Sequence, residues 1–171
     1  KTGELAKLGL DYQTLSSINP RLIYCSITGF GQNGPRKDEA GYDFLIQAMG
    51  GLMSITGQPN EIEGGLKVGV AVTDLFTGLW ASVAILAALQ ARHTTNRGQH
   101  IDLALFDSQL AMLANVASNW FISGNDAKRY GNAHPNLVPY QTFNSKDGFF
   151  ALAVGNDCQF ELLCKMLGKE D

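Results

Sequence analysis

Apolar residues alternate along the chain between short continuous runs and clusters at helical spacing. Residues 9–20 (GLDYQTLSSINP) predict a short helix capped by Asp11 and stopped before Pro20. Residues 21–28 (RLIYCSIT) form an apolar run that predicts a buried strand, followed by a glycine loop. From Tyr42 onward Phe44, Leu45, Ala48, Met49 and Leu52 recur at helical spacing, and Gly50-Gly51 frays that helix. Residues 58–65 are turn-forming, and 66–72 (LKVGVAV) predict a second buried strand. That strand leads past Asp74 into an apolar helix over 75–91, and 94–99 turn into a third strand over 100–107. A further helix spans 107–123. Alternating strands and helices predict an α/β fold with a parallel sheet layer.

After Gly124 the pattern weakens. Residues 125–145 are rich in Gly, Asn and Pro and predict a connector. Residues 149–155 (FFALAVG) then predict a strand, and 157–168 a helix opening at Asp157. The expected organisation is therefore one domain over 1–124, a connector over 125–145, and the start of a smaller domain over 146–171.

Composition narrows the classes. The net charge of −3 across 171 residues, with no block of like charge, gives no electrostatic footprint for nucleic acid. Cys25, Cys158 and Cys164 are an odd number without a C-x-x-C pair, which predicts reduced, buried thiols. Residues 75–91 carry no charge for 17 positions, slightly short for a membrane span. Asp74 and Arg92 bracket them, so a core helix is expected rather than a membrane segment. The chain opens on Lys1 without a signal-like segment, and its beginning and end both suggest a piece of a longer protein.

Three features could carry chemistry. Gly29, Gly31 and Gly34 have the G-x-G-x-x-G spacing of a dinucleotide turn. No apolar helix opens on the third glycine, and no carboxylate stands about 20 residues on, so the nicotinamide reading is disfavoured. Asp74 stands where a valine-rich run enters a helix. It reads either as an ordinary helix cap or as a nucleophile whose neighbouring amides hold developing negative charge. Tyr42 and Asp43 begin a helix after a loop containing Arg36 and Lys37, and Asp43 again reads as a first-turn cap or a site residue. His93, His100 and His134 are dispersed, which argues against a metal site. His100 and Asp102 share a strand face, where a cross-strand polar pair is the ordinary account.

The segments 18–35 (INPRLIYCSITGFGQNGP), 40–57 (AGYDFLIQAMGGLMSITG), 67–79 (KVGVAVTDLFTGL), 97–109 (RGQHIDLALFDSQ) and 129–143 (RYGNAHPNLVPYQTF) together resemble the family III CoA-transferases, the CaiB/BaiF family. The resemblance runs in order along nearly the whole chain. It implies a Rossmann-like domain, a connector into a smaller α+β domain, and an interlocked homodimer. It also implies acyl-CoA and a small carboxylic acid as substrates, no covalently bound cofactor at rest, and a cytoplasmic location, or the mitochondrial matrix in a eukaryote. Asp74 matches the family's nucleophile, which passes through a mixed anhydride and an aspartyl-CoA thioester. Lys7 and Leu8, with Lys1 as a further basic residue, match positions beside the nucleotide of CoA. Ala40, Gly41, Tyr42 and Asp43 match the loop bordering the pantetheine arm. Tyr42 stands where related α-methylacyl-CoA racemases place a histidine. A phenol with a pKa of about 10 is a poor base near neutrality, which favours transfer over racemisation. An inactive CoA-binding fragment is the remaining alternative. The segments lean toward members handling succinyl-CoA and small dicarboxylates.

Overall fold

The computed structural model describes residues 2–60 and 64–169; part of the expected 58–65 loop lies outside them. The chain is mixed α/β. A 3-10 turn (Leu5–Leu8) leads into α1 (Tyr12–Ile18), β1 (Tyr24–Thr28), α2 (Asp43–Met49), α3 (Leu52–Ile55) and the long α4 (Val72–Thr95). Then follow β2 (His100–Ala104), α5 (Leu105–Met112), α6 (Ala114–Ser123), β3 (Tyr140–Asn144), β4 (Phe149–Ala153) and α7 (Asp157–Leu167).

The first sheet is the parallel pair β1–β2, in register from Tyr24 opposite His100 to Thr28 opposite Ala104. Parallel neighbours cannot be joined by a tight turn. Here the crossover consists of α2, α3 and α4, with α4 packed on both strands and on α2 and α5. At the far end Arg92 of α4 donates to the carbonyl of Arg21 at 3.1 Å, tying the helix to the entry of β1. The α1 cap follows the sequence: Asp11 accepts from the Thr14 amide at 2.9 Å. The second sheet is the antiparallel hairpin β3–β4.

α4 has two unlike apolar faces. Thr73, Thr77, Ala81 and Ala88 are buried, and at 100° per residue they form one stripe of small side chains on the side packed against the sheet, α2 and α5. Leu75, Leu79, Val83 and Leu86 line the roughly opposite side and are exposed. The expected core helix is thus buried along one stripe only. By length and composition alone it is also long and apolar enough to cross a membrane.

Several expectations are corrected. Residues 66–72 form no strand, because their amides are used elsewhere: the Val68 amide donates to the Gln47 side chain (2.9 Å) and the Val72 amide to the Val70 carbonyl (2.8 Å). α2 does not bury Phe44, Leu45 and Met49 but Ile46 and Gln47. The expected 107–123 helix starts two residues earlier and breaks at Ala114, whose φ is 44°. Left-handed backbone at a non-glycine residue is unfavourable, and packing of α5 on α4 and α2 outweighs helix continuity. Residues 140–144, expected within the connector, form β3. α7 does open at Asp157 as expected, with Asn156 as its cap, accepting from the Gln159 amide. Cys158 is exposed rather than buried, while Cys25 and Cys164 are half-buried.

One close approach fixes the loops at the carboxyl end of β1. A Cβ at Gly41 would lie 2.3 Å from Gly29 Cα, and one at Gly29 would lie 2.6 Å from Gly41 Cα. Two backbones therefore pass each other where neither tolerates a side chain. The Gly29 carbonyl also accepts from the Phe106 amide at 3.1 Å, joining this crossing to α5. Gly41→Ala is expected to lower stability by about 1–3 kcal/mol, because the obstructing atom is backbone and cannot rotate away; urea denaturation followed by circular dichroism measures the loss.

Candidate active site

The loop after β1 does not cradle a dinucleotide. Gly31 and Gly34 both have positive φ, and no helix begins until Asp43. The turn is held by the Gly31 amide on Thr28 Oγ1 and by the Gln32 amide on Asp102 Oδ2, each at 2.9 Å. His100 contacts Ser26 Oγ across the sheet at 2.9 Å and stacks on Tyr12. His100 thus makes the expected cross-strand polar contact, with Ser26, while Asp102 holds the glycine loop.

This loop is the hub to which the other segments attach. Thr2 Oγ1 donates to the Gly31 carbonyl at 3.3 Å, bringing the 3-10 turn with Lys7 and Leu8 alongside. Lys7 is exposed and paired with Glu4 at 3.0 Å, and Leu8 is exposed on the same turn. Lys1 lies outside the described residues. An open cleft of about 840 Å³ runs between this turn and β1, lined in part by Thr2, Leu5, Tyr12, Ser26, Gln32 and His100. On the other side of the hub, the Gly29–Gly41 crossing sets the position of Ala40, Gly41, Tyr42 and Asp43. Ala40 and Tyr42 are exposed; Gly41 and Asp43 are half-buried.

Asp43 is not the cap of its own helix: Tyr42 occupies that position, without a side-chain hydrogen bond. Its carboxylate instead reaches 30 positions along the chain, where Oδ1 accepts from the Thr73 amide at 2.8 Å. Oδ2 accepts from Gln47 Nε2 at 2.7 Å, and Gln47 Oε1 accepts from the Val68 amide. Gln47 is fully buried. Asp43 therefore caps the helix that carries Asp74, and Gln47 holds the segment entering it. Both roles require contacts across the fold. The only local signal was the i, i+4 spacing of Asp43 and Gln47, which brings two polar side chains together on a helix.

Asp74 does not cap α4 either; Ala71 holds that position without a side-chain hydrogen bond. Asp74 stands in the first turn with its side chain exposed. The Val72 amide is used by Val70, that of Thr73 by Asp43, and that of Leu75 by Ala71. The Asp74 amide is left as the open donor of the first turn among the described residues. One turn on, Gly78 has no atom within 4 Å of where a Cβ would be. Helical side chains lean toward the N-terminus, so a larger residue at 78 would cover Asp74. The carboxyl's pKa is raised, first by partial burial and then by the negative charge of Asp43. The group is thus accessible, next to a free amide, and a better base than an ordinary aspartate.

Against known proteins, the chain matches CoA-transferase family III over residues 1–171. It is 55% identical over 168 residues to a succinate–glutarate CoA-transferase of Agrobacterium fabrum, covering 98% of this chain and 42% of that protein. It is 47% identical over 165 residues to the human succinyl-CoA:glutarate CoA-transferase, covering 96% and 37%. Among solved structures, a CaiB/BaiF family protein from Brucella suis superposes with a TM-score of 0.81 at 55% identity, covering 98% of this chain and 44% of that one. A hypothetical protein from Mycobacterium tuberculosis superposes with a TM-score of 0.81 at 26% identity, covering 99% and 45%. The chain spans about two fifths of the length of the curated relatives. Sequence and fold agree along its full extent, and the chain belongs to CoA-transferase family III.

Proposed function

We propose that the protein transfers CoA from an acyl-CoA donor to a small carboxylic acid, with Asp74 as the acyl acceptor. The observation that carries this reading is the setting of Asp74: an exposed carboxylate of raised pKa beside the open amide of a helix first turn. Ionised, it attacks the thioester carbonyl, the C–S bond breaks, and the CoA thiolate leaves behind a mixed anhydride. The thiolate then attacks the aspartyl carbonyl and releases the donor acid, giving an aspartyl-CoA thioester. The acceptor carboxylate repeats the first step on that thioester, and the returning thiolate attacks the new acyl group to regenerate Asp74. Each step is covalent catalysis by a carboxylate, and each oxyanion forms within reach of a helix end that favours negative charge.

Succinyl-CoA and glutarate are the proposed pair, since relatives at 47–55% identity carry those acids in their names. The open cleft beside the 3-10 turn supports a place for the nucleotide end of CoA, with Lys7 freed from Glu4 to meet phosphate. Ala40 to Asp43 would border the pantetheine arm. A larger Rossmann-like layer, with a smaller domain after the connector and a second copy interlocked with the first, fits two features of this chain. The outward stripe of α4 is an apolar face of a kind usually covered. β1 and β2 pair only with each other among the described residues, and parallel sheets are normally broader and buried.

Two measurements on the full-length protein test the assignment. Asp74→Asn is expected to lower succinyl-CoA:glutarate transfer by about 10³-fold or more with an unchanged circular dichroism spectrum, as for loss of other covalent nucleophiles. Hydroxylamine added during wild-type turnover should leave a hydroxamate on Asp74, found by peptide mass spectrometry. Undiminished transfer in the variant would end the proposal.

The raised pKa gives a third test. The reactive form is ionised, so activity should fall as pH drops through a value above the ordinary carboxylate pKa of about 3.9. The acid limb of kcat/KM, which reports the free enzyme, measures it.

A further inference from the structure

We propose that Asp43 is a positioning residue for the transfer reaction: its carboxylate, bridged to Gln47, fixes the first turn of α4 and with it the reach of Asp74. The inference rests on the assignment of Asp74 above. It assigns Asp43 a task different from lining the CoA arm, which is what the family resemblance implies for this position.

The geometry is a three-member polar chain that closes on α4 from the side. Both carboxylate oxygens of Asp43 are engaged, one by the Thr73 amide of α4 and the other by Gln47 Nε2 of α2. Gln47 has no exposed surface, and its remaining oxygen takes the Val68 amide from the segment that enters α4. The bridge thus holds Thr73, the residue just before Asp74, and Val68, in the approach to the helix, from a single anchor. The base of that anchor is rigid, because Gly41, two residues before Asp43, passes against Gly29 with no room for a side chain. No comparable tie among the described residues holds Asp74 itself, whose side chain faces solvent. Its placement therefore depends on the backbone beneath it. Loss of a group that orients a reacting residue costs about 10- to 100-fold without the loss of any direct contact with substrate.

The donor and acceptor pattern of the bridge supplies a discriminating test. In Asp43→Asn the new side chain can still accept from Thr73, but its amide then faces Gln47 Nε2, donor against donor. If Gln47 flips to relieve this, its Nε2 faces the Val68 amide instead. One hydrogen bond is lost either way. Asp43→Asn combined with Gln47→Glu restores all three bonds, because the introduced carboxylate accepts both from the introduced side-chain amide and from Val68.

Steady-state kinetics of the full-length protein, with succinyl-CoA varied at saturating glutarate, reads the outcome. For Asp43→Asn, kcat is expected to fall about 10- to 100-fold while KM for succinyl-CoA stays within about threefold, and the double variant should return kcat to within about threefold of wild type. Gln47→Met, which keeps the bulk and removes both glutamine bonds, should show the same split without touching any group able to contact CoA. It decides the question if Asp43→Asn does not fold. A rise in KM at constant kcat would make Asp43 a CoA contact and overturn the proposal. So would an unchanged kcat in Asp43→Asn, or a double variant no better than the single one. If Asp74→Ala transfers at the wild-type rate, it is the assignment of Asp74 that has failed, whatever Asp43 does.

Discussion

The carboxylate of Asp43 is the constraint on which the arrangement around Asp74 depends. A half-buried charge is unfavourable unless its oxygens are hydrogen-bonded, and here both are engaged by donors, at 2.8 and 2.7 Å. Hydrogen bonds to an ionised acceptor contribute roughly 1.5–3 kcal/mol each, more than a neutral pair would. The position at the N-terminal end of α4 adds the attraction of the helix dipole for negative charge. The same charge works against the ionisation of Asp74, whose pKa it raises. One group thus stabilises the helix end while keeping the neighbouring carboxylate more basic, a combination that a neutral cap such as Ser or Asn would not supply.

Glycine and alanine set how closely the parts approach. The small inward stripe of α4 lets the helix lie on the two-stranded parallel sheet, while Gly29 and Gly41 let the loop after β1 cross the loop before α2 in contact. Together these bring residues from four separate stretches to one end of the sheet: the 3-10 turn, the glycine loop, the start of α2 and the start of α4. That is the end where the strands of parallel α/β sheets finish and where ligands are usually found.

What could be read from the sequence follows the range of the forces involved. The Asp11 cap, β1, β2, α4 and the placement of Asp74 in a helix first turn are local, and local spacing and capping chemistry predict them. The valine-rich 66–72 segment misled because β-propensity describes fitness for a pleated surface and cannot supply a neighbouring strand. Its amides go to Gln47 and to a tight turn. β3 was hidden by the Asn- and Pro-rich stretch before it, although Tyr140, Thr142 and Phe143 are themselves strand formers. The break at Ala114 could not be read, since nothing in 107–123 marks the point where packing on α4 ends. Both aspartates were visible as helix-start residues, but the bond that makes Asp43 the cap of another helix spans 30 positions. No periodicity records a contact at that distance.

The two faces of α4 also bear on Asp74. Stepping by 100° from the buried stripe of Thr73, Thr77 and Ala81 places Asp74 at the edge of that stripe, with Leu75 and Leu79 turned toward the outer face. An element laid over the outer stripe takes water from around Asp74 only where it also reaches this edge, roughly 100° around the helix from Leu75. Desolvation disfavours the charged form of a carboxylate, so such a contact moves the pKa in the direction that partial burial already moves it. The outer face of α4 bears on the ionisation of Asp74 only through an element of that reach. Bare Gly78 keeps the approach to the carboxylate open along the helix.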